Sequence, residues 1–264
     1  MQLRLVKFFS SLACFLVGCF LNQACSSATQ IRHMNVHEIF EDEQVARLAI
    51  AAAKGNSRQI DRMLEEGVDI NAPGERGRTP LWWAANAENY RGYAYLLDRG
   101  ADPNAVVDRD HSIMDIVAGL RDTRFLERAL EEGGDPNLVG WASRTPLWHV
   151  IGRYRRESLR NAKTLIDAGA DLNYQDSVTK QTLLNSAGSA RDWDMILLFL
   201  EHGADPFMRC TLGYDLLGEL ARGPRGVRYT AERLKVEAKV REIARERGIK
   251  IDAPDPPAEP NWPE

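Results

Sequence analysis

Gly77-Arg78-Thr79-Pro80-Leu81-Trp82-Trp83-Ala84-Ala85, followed by Tyr93, Leu96-Leu97 and then Gly100-Ala101-Asp102-Pro103-Asn104, reads as two helices joined by a turn. Thr79 is a helix N-cap whose hydroxyl can accept from an orphan backbone N–H, and Pro80 fits the first helical position, where its missing donor costs nothing. Leu81, Ala84 and Ala85 form an apolar stripe at i, i+3, i+4, with alanines small enough to let a partner helix lie close. Tyr93, Leu96 and Leu97 repeat that spacing on a second helix, which Gly100 stops by adopting the left-handed conformation after the last turn.

A single such hairpin cannot bury its own faces, so recurrence decides the fold. Stop glycines fall at Gly67, Gly100, Gly133, Gly169 and Gly203, at intervals of 33, 33, 36 and 34 residues. An aspartate follows each of them, at Asp69, Asp102, Asp135, Asp171 and Asp205. Helix starts recur in phase at Thr79, Ser112, Thr145, Thr182 and Asp215, all N-cap formers. Period, caps and apolar spacing agree independently.

This pattern resembles the ankyrin repeat, a turn plus two antiparallel helices of about 33 residues. The resemblance spans residues 45–251 and implies an all-α solenoid of about six helix-turn-helix repeats with helical caps. The chain departs from the family at the histidine that usually follows Thr-Pro-Leu, where Trp82, Asp115, Trp148, Asn185 and Gly218 stand. Aromatic burial at Trp82 and Trp148 is the expected replacement.

The N-terminus is of another kind. Arg4 and Lys7 precede an apolar run from Phe8 to Gly18, with no acidic residue before Glu38, the make-up of a signal peptide. Its end, Leu16-Val17-Gly18-Cys19, resembles the bacterial lipobox, which implies removal of residues 1–18 and lipidation of Cys19. Ordinary cleavage near Ala24 or Cys25 and an uncleaved anchor are the competing readings, although the run is short for a spanning helix. Residues 19–34 then form a flexible tether, 35–252 the repeat domain and 253–264 a disordered, proline-rich acidic tail. Asn35-Val36-His37-Glu38 reads as a capping box opening a short helix over the end of the stack.

Net charge of −4 argues against a nucleic-acid partner, for which a basic face is expected. No constellation supports catalysis, a small-molecule substrate, a cofactor or a metal site. The five histidines are scattered, the cysteines other than Cys210 lie in the leader and tether, and no zinc spacing, phosphate loop or nucleophile elbow occurs. Two insertions interrupt the period: a basic one around Arg153, Arg155 and Arg156 in the fourth repeat, and about a dozen residues around Arg222-Gly223-Pro224-Arg225 in the sixth. A C-terminal cap helix is expected over 230–247, with Leu234, Ala238, Val240, Ile243 and Ala244 inward.

What remains is binding. The resemblance implies a concave face, built from turn tips and first-helix ends, that contacts a protein partner. Register places Glu75, Arg76, Arg78, Asn86, Asp108, Leu120, Trp141, Arg144, Arg153, Val178, Leu212 and Tyr214 on it. Interfaces concentrate energy in Trp, Tyr and Arg, so Trp141, Arg144, Arg153 and Tyr214 are the expected hot spots, with Val178, Leu212, Arg76 and Arg78 beside them. The expected function is non-enzymatic protein binding by a chain lipid-anchored in a bacterial envelope and facing the periplasm, as an inhibitor or immunity protein against a secreted toxic enzyme. An envelope scaffold, a regulatory subunit of a membrane-localised hydrolase, and a soluble secreted or periplasmic location are the alternatives.

Overall fold

A computed structural model describes residues 34–108, 111–152, 155–221, 230–251 and 256–258, with the side chains of Trp141 and Arg155 outside that description. The leader, Cys19, the tether up to residue 33, Arg153, residues 222–229 and most of the tail lie outside the described residues.

A short helix α1 (Val36–Ile39) opens the domain, and six helical pairs follow. They are α2 (Glu43–Ala53) with α3 (Ser57–Glu65), α4 (Pro80–Asn86) with α5 (Tyr90–Leu97), and α6 (Ile113–Ala118) with α7 (Arg124–Glu131). The fourth pair joins a 3-10 helix (Pro146–Val150) to α8 (Arg155–Asp167). The last two are α9 (Leu183–Ala190) with α10 (Trp193–Glu201), and α11 (Leu216–Ala221) with α12 (Ala231–Glu246). First helices contact first helices in sequence from α2 to α11, and second helices do likewise from α3 to α12. The chain is therefore an all-α, two-layered solenoid. A minimal antiparallel pair, β1 (Val106–Val107) and β2 (His111–Ser112), marks one inter-repeat turn.

The periodic residues do what their chemistry predicts. Leu81, Met114, Leu147 and Leu184 are all buried in one continuous core. The stop glycines hold φ between 86° and 95°, the left-handed region in which a side chain is strained. Gly92 serves a different need: a Cβ there would sit 1.8 Å from the Ala52 carbonyl oxygen, so its absence lets α5 lie on α2.

Polar residues join the repeats as regularly as apolar ones. The Asn71 side chain donates to the Gly100 carbonyl at 3.2 Å and accepts from the Asp102 N–H at 2.9 Å. Asn104 makes the same two bonds to Gly133 and Asp135, and Asn137 to Gly169 and Asp171. Asn173 accepts from the Asp205 N–H at 2.7 Å. Each aspartate in turn accepts from the N–H two residues on, as Asp102 does from Asn104.

The ends differ in detail from expectation. At α1, the Asn35 carboxamide accepts from the His37 N–H, Glu38 is exposed, and Val36, Ile39 and Phe40 cover the stack. In α12 the buried face is Arg233, Val236, Glu237, Val240, Ile243 and Ala244, whereas Ala238 is exposed and Leu234 half-buried. The stripe is rotated because Arg233 Nε donates to Glu237 Oε1 at 2.8 Å, which lets two charged side chains occupy buried positions as a pair.

Candidate functional site

Between consecutive pairs the chain makes a hairpin turn, and these five tips form one row of inter-repeat contacts. The closing bond recurs: Gly74 N–H to Arg78 O (2.7 Å), Gly140 N–H to Arg144 O (2.8 Å), Asp176 N–H to Gln181 O (3.1 Å) and Cys210 N–H to Tyr214 O (3.0 Å). Tips also touch their neighbours. The Asp108 N–H donates to Arg76 O, Ser143 Oγ lies 3.1 Å from the Tyr174 hydroxyl, and the Thr211 N–H donates to Thr179 O at 2.9 Å.

The row has two characters. In its first part, Arg78 is only 9 % exposed, its Nε donating to both Asp108 carboxylate oxygens at 3.0 and 3.1 Å while its guanidinium lies 4.7 Å over the Trp82 ring. Arg76, an exposed side chain, lies 3.6 Å from Glu75 and 3.9 Å from Asp108. Charges here are paired within the protein.

In the later tips, apolar groups reach solvent. Of the six large apolar side chains exposed among the described residues, Val106 stands on the earlier tip that carries Asp108, and Val139, Val178, Leu212 and Tyr214 stand on these later tips, Val178 at 76 % exposure. The sequence placed Val178, Leu212 and Tyr214 there and missed Val106 and Val139. Both of those follow an Asn-Ala or Asn-Leu pair just after the aspartate turn, and that shared register was the available signal.

Three expected face residues are instead internal. Arg78 is bound to Asp108, Asn86 is buried with its amide donating to the Trp82 carbonyl at 2.9 Å, and Leu120 is buried in the core. Arg144 is half-buried, 4.9 Å over the Trp148 ring; burial holds its guanidinium below the ordinary arginine range, with Asp176 acting against that. The expectation for Trp141 concerns a side chain outside the description, and that for Arg153 a residue outside it.

Backbone strain also gathers at the tips. Arg76, Asp108, Ala142, Ser143 and Lys180 have φ between 46° and 59°. Ser143 and Lys180 stand two residues before the N-cap threonine, where the second repeat has Gly77 at φ 74°. A left-handed non-glycine residue costs roughly 1–2 kcal/mol, and such strain concentrates at binding sites.

One buried titratable cluster lies beside the row. Ser112 and Asp115 form a reciprocal capping box: Asp115 N–H donates to Ser112 Oγ at 3.0 Å, and Ser112 N–H donates to Asp115 Oδ2 at 2.8 Å. The other oxygen, Oδ1, lies 3.6 Å from His149 Nε2. Burial pushes the Asp115 carboxyl up to about 6, opposed by the Ser112 bonds and by His111. Its geometry is that of a helix cap. Among the described residues no group of three His, Cys, Asp or Glu side chains is placed to hold a metal ion, and no helix is long and apolar enough to cross a membrane.

The family model described as "Ankyrin repeats (3 copies)" matches residues 19–107. The match indicates ankyrin repeats, and the six stacked pairs carry that architecture through to α12. No curated protein matches the chain. Ankyrin repeats indicate a module for binding other proteins, and proteins built of them are generally not enzymes.

Proposed function

We propose that this chain is a stoichiometric protein-binding protein, lipid-anchored at Cys19 in a bacterial envelope with its repeats in the periplasm. It would act as an inhibitor or immunity protein that occludes a secreted toxic enzyme. The observation that carries the binding reading is the concentration of exposed large apolar side chains on one row of braced tips. Apolar groups collected on one side of a soluble fold mark interaction sites, and a pre-organised row spends little free energy on ordering when it binds. Tyr214, Leu212 and Val178, with Trp141, Arg144, Arg153 and Arg76, are the proposed contacts. The anchor rests on Arg4, Lys7, the apolar run and Leu16-Val17-Gly18-Cys19. A multi-chain lipid meets the requirement for more than one acyl signal in stable anchoring.

The test is purification of the full chain from detergent-solubilised envelope. The wild type should carry one partner in equimolar amount, and that partner's own activity should be suppressed in the complex. Val178→Ser/Leu212→Ser/Tyr214→Ala should lose it, and Cys19→Ala should shift the chain to the soluble fraction. Equal recovery by the triple variant, or a partner as active bound as free, would refute the reading.

A further inference from the structure

We infer that the tips of the last three repeats form a basic and apolar strip that takes an acidic chain segment bearing aliphatic or aromatic side chains. This rests on the protein-binding reading above and specifies the chemistry of what is bound.

The described side chains of tips 139–144, 175–181 and 209–214 include three cations, Arg144, Lys180 and Arg209, and one acid, Asp176. Asp176 is buried and spent inside its own turn, accepting from the N–H groups of Val178, Thr179 and Gln181 and from the Thr179 hydroxyl. Lys180 and Arg209 are exposed, and neither has an ion pair among the described residues. The strip is therefore positive on a chain whose net charge is −4. Selection for solubility alone gives no reason to collect unpaired cations there, whereas an acidic partner does.

The apolar component lies among the same residues. Val139, Val178, Leu212 and Tyr214 stand on the same three tips as Arg144, Lys180 and Arg209. A segment that matches it must carry both carboxylates and apolar side chains, because either alone leaves half of the strip unmatched.

The strip is also rigid. The Asp176 network fixes the fifth tip, the Thr211 N–H and Thr179 carbonyl tie the sixth to it, and Gln175 Nε2 bonds both Lys180 O and Arg209 O at 2.9 and 3.1 Å. That last side chain holds the backbones of the two unpaired cations together. Strained φ values at Ser143 and Lys180 are retained in the same turns. The earlier tips differ in charge, since Arg78 and Arg76 are matched there by Asp108 and Glu75.

The test is selection of randomised twelve-residue peptides displayed on phage against the immobilised full chain. The enriched peptides are then synthesised and titrated in fluorescence anisotropy. Enriched sequences should combine two or more acids with aliphatic or aromatic residues, and their affinity should fall with added salt. Lys180→Glu/Arg209→Glu and, separately, Val178→Ser/Leu212→Ser should each weaken binding at least tenfold while circular dichroism and melting stay unchanged. Basic or uncharged peptides, no enrichment, or affinity indifferent to both variants would overturn the inference. Preferential co-sedimentation of the unlipidated Cys19→Ala chain with phosphatidylglycerol vesicles, abolished by the charge reversal, would also overturn it in favour of a lipid surface. If the envelope purification still yields an equimolar, inhibited partner, only the chemistry assigned here has failed. If neither experiment yields a partner, the protein-binding reading falls with it.

Discussion

Arg-Thr-Pro-Leu-Trp occurs twice, at residues 78–82 and 144–148, and folds differently each time. In the second repeat Thr79 Oγ1 accepts from the Trp82 N–H at 3.2 Å and starts α4. In the fourth, Thr145 makes no cap, its hydroxyl and the Trp148 indole N–H are buried without hydrogen-bond partners among the described residues, and the helix is 3-10. The cause lies downstream. After the first copy come Trp83-Ala84-Ala85-Asn86, and the alanines favour continuation. After the second come His149-Val150-Ile151-Gly152, two β-branched residues and a glycine, which shorten the run. Arg78 has Asp108 across the turn, whereas Arg144 has, among the described residues, the Trp148 face and the more distant charge of Asp176. The same pentapeptide is thus a strong start signal whose result depends on its successors and on a partner one repeat away.

The contrast can be broken or sharpened by substitution. The largest effect is expected at the shared leucine, buried in both copies. Leu81→Ala should cost about 2–5 kcal/mol in urea unfolding, with Leu147→Ala nearer the lower bound, because a short 3-10 segment can relax around the cavity. Equal losses would show that the two sites are equally rigid.

Next comes Asp115, which bridges toward the fourth repeat through His149. A carboxyl whose folded value, about 6, lies above its unfolded one destabilises the fold above pH 6. That cost is relieved as pH falls through 6 and is gone below the ordinary carboxylate range. Asn185 performs the same capping role opposite Thr182 in the fifth repeat, so Asp115→Asn keeps the cap while removing the charge. The variant should be more stable than wild type by about 1–3 kcal/mol at pH 8, with the gap closing toward pH 4 in thermal melts. A pH-independent difference would refute the assignment.

Arg78→Ala and Arg144→Ala then compare the two arginines directly. The first strands a half-buried carboxylate and should cost about 1–3 kcal/mol; the second loses a cation–π contact, about 0.5–1 kcal/mol. The smallest effect is at the strained turns. Lys180→Gly should raise stability by about 0.5–1 kcal/mol by removing Cβ from a left-handed residue, whereas Ser143→Gly should gain less, because it also removes the hydroxyl that meets Tyr174 and accepts from the Ser177 N–H. Lys180→Gly should weaken peptide binding at the same time.

The fold was legible because its marks are local: a glycine that must take positive φ, a hydroxyl three residues before the N–H that it caps, leucines at one phase. What was not legible depended on distant neighbours. Arg78 looks like a surface charge until Asp108, 30 residues on, is seen beside it. On α12, Val240, Ile243 and Ala244 turn inward as periodicity predicts, but Leu234 and Ala238 do not, because Arg233 and Glu237 neutralise each other one turn apart, a pairing that hydrophobic periodicity counts as two polar positions. Val178, Leu212 and Tyr214 were legible for the opposite reason, since they interrupt turns that are otherwise polar.

The asparagine bonds have a consequence for how such a chain can change. The asparagine and the N–H it accepts from are 31, 31, 34 and 32 residues apart at successive junctions, yet the bond is 2.7 to 2.9 Å at every one. The three extra residues of the fourth unit fall between its helices and the one extra residue of the fifth falls in its tip, while the seam that joins units keeps its register. Lineages can therefore lengthen or shorten individual units, and experimenters can splice them, without renegotiating the contacts on either side.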